Sequence, residues 1–139
     1  MKFYRVLALV LAVFMIGCVM VACDKEPEET KTTIVVKFTI KDGPKGDVLA
    51  QDAEYAYTYT GDTAPTVTEV LVDVCDLYEL PIEFQDESME VITKIGSKTA
   101  GKGEFWTYAL NGQNNLDNPM YVQTVKSGDI IVVYLDSIN

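Results

Sequence analysis

One stretch of the chain repeats its apolar residues at helical spacing, and it lies between segments that alternate with period two. Val67, Val70, Leu71, Val74, Cys75 and Tyr78 follow i, i+3, i+4, i+7, i+8 and i+11, the stripe of an amphipathic helix of about three turns. Thr66 and Glu69 ahead of it have the spacing of a capping box, in which hydroxyl and carboxylate each take an orphan amide. Pro81 marks the end. A single helix can cover one face of a sheet and no more, so the strands around it must form a sheet whose other face is solvated or used for binding.

The strands read as follows. Thr32–Asp42 is rich in β-branched residues, with Ile34, Val36, Phe38 and Ile40 on one face and Val35, Lys37, Thr39 and Lys41 on the other. Gly43–Asp47 is a turn cluster, and a second strand is expected over Glu54–Thr60, with Tyr55, Tyr57 and Tyr59 sharing a face. That tyrosine stripe fits strand-face packing, or a stacking platform on an open sheet face. After the helix, strands are expected over Ile82–Phe84, Val91–Ile95, Glu104–Leu110, Met120–Val125 and Asp129–Asp136. The last is apolar on both faces, as a central strand would be. Two strands, a helix, then further strands is the order of a β-grasp, an α+β fold with a mixed sheet, its first and last strands parallel at the centre and one helix packed across one face.

The second half carries a constellation of its own: Val91-Ile92-Thr93-Lys94-Ile95-Gly96, then Phe105-Trp106-Thr107-Tyr108-Ala109-Leu110-Asn111-Gly112, then Tyr121 to Ile130 with Gly128-Asp129, and Tyr134. Trp106, Tyr108 and Leu110 share one strand face. Asn111-Gly112 tolerates positive φ, and Asp129 can accept from turn amides. All of this can serve folding alone. The pattern W-x-Y-x-(aliphatic)-N-G followed by G-D-x-(aliphatic) also resembles the transcobalamin C-terminal-like β-grasp family, over residues 32–139. In the carriers of that family this domain closes over one side of a corrinoid, and a separate helical domain holds the other. The resemblance implies a small flat ligand such as cobalamin, bound as ligand with no cofactor required, at Trp106, Tyr108, Asn111, Gly112, Asn115 and Leu116 within the strand and the Gln113–Met120 loop. The helical domain is absent from this chain, which leaves one wall of a pocket. A cell-surface interaction or adhesion module that recognises a protein or polymer, with a partner adding a strand to a sheet edge, is the alternative.

The N-terminus places the domain. Lys2 and Arg5 precede an uncharged, mostly aliphatic run from Val6 to Cys23, and the composition then turns abruptly to Asp24-Lys25-Glu26-Pro27-Glu28-Glu29, the layout of a secretory signal. Gly17-Cys18 and Ala22-Cys23 both resemble the lipobox of bacterial lipoproteins. Cys23 is the expected lipidation site, because cleavage there opens directly onto a polar tether whereas cleavage at Cys18 leaves an apolar stub. The expectation is therefore a signal peptide over 1–22, a tether over 23–31 and one domain over 32–139, extracytoplasmic and held at the membrane by its lipid. An uncleaved membrane anchor would place the domain on the same side.

Charge and residue usage exclude several classes. The chain has 11 basic and 21 acidic residues, a net charge of −10, and loss of Lys2 and Arg5 with the signal makes it more negative still. Such a surface repels nucleic acid. There is no histidine, which removes Ser-His and Cys-His nucleophile systems and the usual zinc sites. Of three cysteines only Cys75 lies outside the signal, on the apolar face of the helix, where a buried inert thiol is expected. Asn111, Gln113, Asn114, Asn115, Asp117 and Asn118 make an oxygen-rich loop that matches no EF-hand spacing. No nucleophile motif is present, and the expectation is a binding module rather than an enzyme.

Overall fold

The computed structural model describes residues 29–114 and 117–138. Strand β1 (Lys31–Lys41) pairs antiparallel with β2 (Val48–Thr60) and parallel with β7 (Ile130–Ser137), and β7 pairs antiparallel with β6 (Glu104–Leu110), giving the order β2-β1-β7-β6. The first and last strands lie parallel at the centre, as expected for a β-grasp. Helix α1 (Val67–Leu77) joins β2 to β3 (Ile82–Phe84), which with β4 (Ile92–Ile95) and β5 (Lys98–Thr99) forms a second, three-stranded sheet in the order β3-β4-β5.

The core forms where the apolar faces meet. Phe38, Ile40, Ile131 and Val133 of the two central strands are at most 1% exposed, as are Val67, Val70, Leu71, Val74 and Cys75 of the helix. Register fixes which face points inward. Ile34 pairs with Tyr57 and Val36 with Tyr55, so the tyrosine stripe lies on the helix side of the sheet. Tyr55 is buried, its hydroxyl donates to Asp73 of α1, and Tyr57 and Tyr59 pack at the edge of the core. The stripe is therefore packing and not a platform on the open face. The open face carries Val35, Phe105 and Ile130, each more than 40% exposed.

Local signals explain the helix. Glu69 N–H donates to Thr66 Oγ1 at 3.3 Å, Thr66 N–H donates to Glu69 Oε2 at 2.7 Å, and the capping box is complete. Thr68 is buried with the apolar stripe because the segment 119–125 lies over the helix start. Val67 N–H donates to Gln123 O at 2.9 Å and Thr68 N–H to Met120 O at 3.2 Å.

That segment was expected to be a strand over Met120–Val125 and is not one. Val122 and Gln123 N–H both donate to Pro119 O, at 3.0 and 2.9 Å, which coils the chain into a turn, and only an isolated bridge between Thr66 and Thr124 remains. Its apolar residues anchor a loop: Met120 and Val125 are buried while Tyr121 and Val122 are exposed. Strand β2 starts at Val48 rather than Glu54, because the register shift between Val36 and Phe38 lets Ala50, Gln51 and Asp52 continue the ladder to Ile40, Thr39 and Phe38.

Candidate functional site

The W-x-Y strand lies at one edge of the large sheet. Trp106 pairs with Leu135 and Tyr108 with Val133, which turns both side chains toward the core, and they are 7% and 4% exposed. The Tyr108 hydroxyl donates to Asn118 O at 2.5 Å, which ties β6 to the loop that follows it, and burial raises the phenol's pKa.

Two clefts meet at Trp106. One, of about 370 Å³, is lined by Trp106, Thr107 and Tyr108 together with Asn114, Asp117 and Met120, and by Glu90. The other, of about 360 Å³, is lined by Glu104, Phe105 and Trp106, by Ile92 and Thr93 of β4, and again by Glu90. Successive residues of a strand point to opposite faces. A cleft lined by three in a row therefore lies along the strand's edge, and the two together follow β6 from Glu104 to Tyr108. Their charged lining residues are Glu90, Glu104 and Asp117, with no lysine or arginine in either.

Trp106 is unusual in a second way. Its Nε1 is buried and has no hydrogen-bond partner among the described residues. Buried donors are normally paired, because leaving one unpaired costs about 1–3 kcal/mol. This unpaired donor belongs to one of the two residues, Trp106 and Glu90, that line both clefts.

The sequence-predicted residues separate into two groups. Trp106 lines both clefts and Tyr108 the first of them, together with Asn114 and residues 117–120. Asn111 and Gly112 line neither and build the turn out of β6. Asn111 sits at φ 52° and Gly112 at φ 82°. Asn111 Nδ2 donates to Asp129 Oδ1 at 3.0 Å, and Ile130 N–H donates to Asn111 Oδ1 at 2.8 Å. Asp129, 4% exposed, also accepts from Lys126 N–H at 2.9 Å. Gly128 N–H donates to Val35 O at 2.9 Å, so the Gly-Asp turn locks β7 beside β1. Asn115 and Leu116 lie outside the described residues, as do Cys18 and Cys23. Among the described residues no helix is long and apolar enough to cross a membrane.

Glu90, Thr93 and Glu104 at the clefts were not anticipated. They come from the loop between β3 and β4, from β4 and from the first residue of β6, and no motif in the sequence joins them. Cys75 is fully buried, and desolvation pushes its thiol up to about 12.

Comparison with known proteins places the fold. No family model and no curated protein matches the chain. Among solved structures, haptocorrin in complex with Cbi is similar at 14% identity and a TM-score of 0.53, over 81% of this chain and 27% of that one. A Ruminococcus gnavus ATCC 29149 protein, described as a candidate metal binding protein, is similar at 16% identity and a TM-score of 0.48, over 76% of this chain and 99% of that one. The chain thus spans about a quarter of haptocorrin's length. At this identity the likeness to haptocorrin is one of fold alone.

Proposed function

We propose that the protein is a lipid-anchored, extracytoplasmic binding module without enzymatic activity, and that its ligand is small and flat, a corrinoid such as cobalamin first among the candidates. The observation that carries this reading is the unpaired Trp106 Nε1, on a residue that, with Glu90, lines both clefts. A ligand presenting amide groups suits the site, because a carboxamide oxygen can accept from the indole while its N–H groups donate to Glu90 or Asp117. The fold likeness to haptocorrin in complex with Cbi supports the ligand class. The anchor rests on the lipobox at Cys23.

The domain offers one wall of such a pocket, so it leaves one side of a flat ligand in water or covered by a partner protein. Affinity is therefore expected to be about micromolar or weaker. Calorimetric titration of dicyanocobinamide into the detergent-solubilised full chain tests this. Binding should be detectable, and Trp106→Phe, which keeps an aromatic ring and removes the donor, should weaken it about tenfold, the loss of about one hydrogen bond. No heat at high micromolar concentrations, or equal binding by Trp106→Phe, would refute the assignment. Intact-mass analysis of the membrane-extracted protein should show a chain beginning at lipid-modified Cys23. A mature chain without lipid mass would overturn the anchor.

A further inference from the structure

The edge of β6 carries unspent hydrogen-bonding capacity. Asn111 N–H donates to Ile130 O and Ile138 N–H to Gly103 O, both at 2.8 Å. Odd-numbered residues of β6 therefore turn their backbone groups toward β7, and even-numbered ones turn away. Of these, Leu110 exchanges both of its bonds with Gln113, and Glu104 N–H donates to Gly101 O at 3.1 Å. Trp106 and Tyr108 remain between. Their two N–H and two C=O groups point away from β7 and have no hydrogen-bond partner among the described residues.

We propose that this edge accepts an extended polypeptide segment carrying lysine or arginine, which adds to the large sheet as a fifth strand beyond β6. Three observations carry it. Donor and acceptor alternate along the edge at the two-residue repeat of a strand, roughly 7 Å, and the complement of that pattern is another extended backbone. The two clefts run along this same stretch and leave room beside it. The carboxylates of Glu90, Glu104 and Asp117 line that room with no cation among the lining residues, so a basic segment is the complementary one. A second copy of the chain is disfavoured on the same ground, since pairing β6 with β6 would bring two acidic clefts together on molecules of net charge −10. The inference rests on reading the Trp106 clefts as the place where the domain binds, and not on a corrinoid as the occupant.

The test uses the full chain, isotope-labelled and solubilised in detergent, with four probes: an end-blocked decapeptide of alternating lysine and threonine, the same peptide N-methylated throughout, its glutamate-threonine counterpart, and dicyanocobinamide. Amide exchange at Trp106 and Tyr108 is the readout. At saturation the lysine peptide should slow exchange of both amides at least tenfold. The N-methylated peptide keeps the charge and loses the backbone donors, and it should bind at least tenfold more weakly, as should the glutamate peptide. No protection of either amide at millimolar lysine peptide, or equal binding of the N-methylated form, overturns the proposal. If dicyanocobinamide perturbs Trp106 while the lysine peptide does not, strand addition falls and the small-ligand reading stands. If neither perturbs Trp106, both fall.

Discussion

Replacing Asn111 by alanine separates folding from ligand contact in the W-x-Y-x-L-N-G motif. The side chain makes two hydrogen bonds, donating at 3.0 Å to Asp129 and accepting at 2.8 Å from Ile130 N–H. Ile130 is 46% exposed, so water can replace part of that bond and its loss costs about 0.5 kcal/mol. Asp129 is only 4% exposed and keeps one other partner, Lys126 N–H. Losing a donor to a buried carboxylate costs about 1.5–3 kcal/mol. Asn111 also sits at φ 52°, where alanine adds about 1 kcal/mol that glycine does not. The expected cost is about 3–4.5 kcal/mol for Asn111→Ala and about 2–3.5 kcal/mol for Asn111→Gly. Both leave a domain of ordinary stability folded at 25 °C. Urea unfolding followed by the fluorescence of Trp106, the only tryptophan, measures both. A loss under about 0.5 kcal/mol, or no difference between alanine and glycine, would refute the reasoning. Unchanged stability with lost corrinoid binding would return Asn111 to the site.

Three further outcomes follow from the core and the cap. Cys75 has an ordinary value of 9.0 and is held near 12 in the fold by desolvation, so its contribution to stability is whole below pH 9 and falls by about 1.4 kcal/mol per pH unit between 9 and 12. Tyr55, raised by burial and by Asp73, adds to the decline above pH 10. Cys75→Ala should therefore flatten the loss between pH 9 and 10 in denaturation series, at a cost on the order of 1 kcal/mol at pH 7; an unchanged slope there would contradict the assignment. In native protein at pH 7, Cys75 should react with a thiol reagent only at the rate of unfolding, and rapid labelling would show it accessible. Thr66→Ala removes the oxygen that accepts Glu69 N–H and should lower stability by about 1 kcal/mol, with no loss expected if the 119–125 loop alone fixes the helix start.

The helix, its cap, the two central strands and the aromatic edge strand were legible in the sequence because each rests on local periodicity or on a short motif with its own hydrogen bonds. What was not legible depends on long-range pairing. Alternation says that Tyr55, Tyr57 and Tyr59 share a face but not which one, and only the register with Ile34 and Val36 turns them toward the helix. Met120–Val125 looked like a strand, yet the amides of Val122 and Gln123 are spent on Pro119 O, that of Val125 on Pro65 O, and the carbonyls of Met120 and Gln123 on the helix start. Gln51 and Asp52 have little strand propensity of their own, and are held in β2 by β1. At the site, Trp106 and Tyr108 were visible as an aromatic pattern. Glu90 was not, since a lone glutamate between two short strands has no sequence signature.

The indole N–H of Trp106 tests the account most directly. As the chain holds one tryptophan, its indole gives a single proton–nitrogen resonance, and that donor has no partner among the described residues. If the clefts are the binding site, adding dicyanocobinamide to the full chain in detergent should shift this resonance downfield in a saturable way and slow its exchange with water, together with shifts in the amides of Thr107, Tyr108 and Asn118. An indole resonance that stays fixed while other parts of the domain respond would place the site elsewhere and contradict the account.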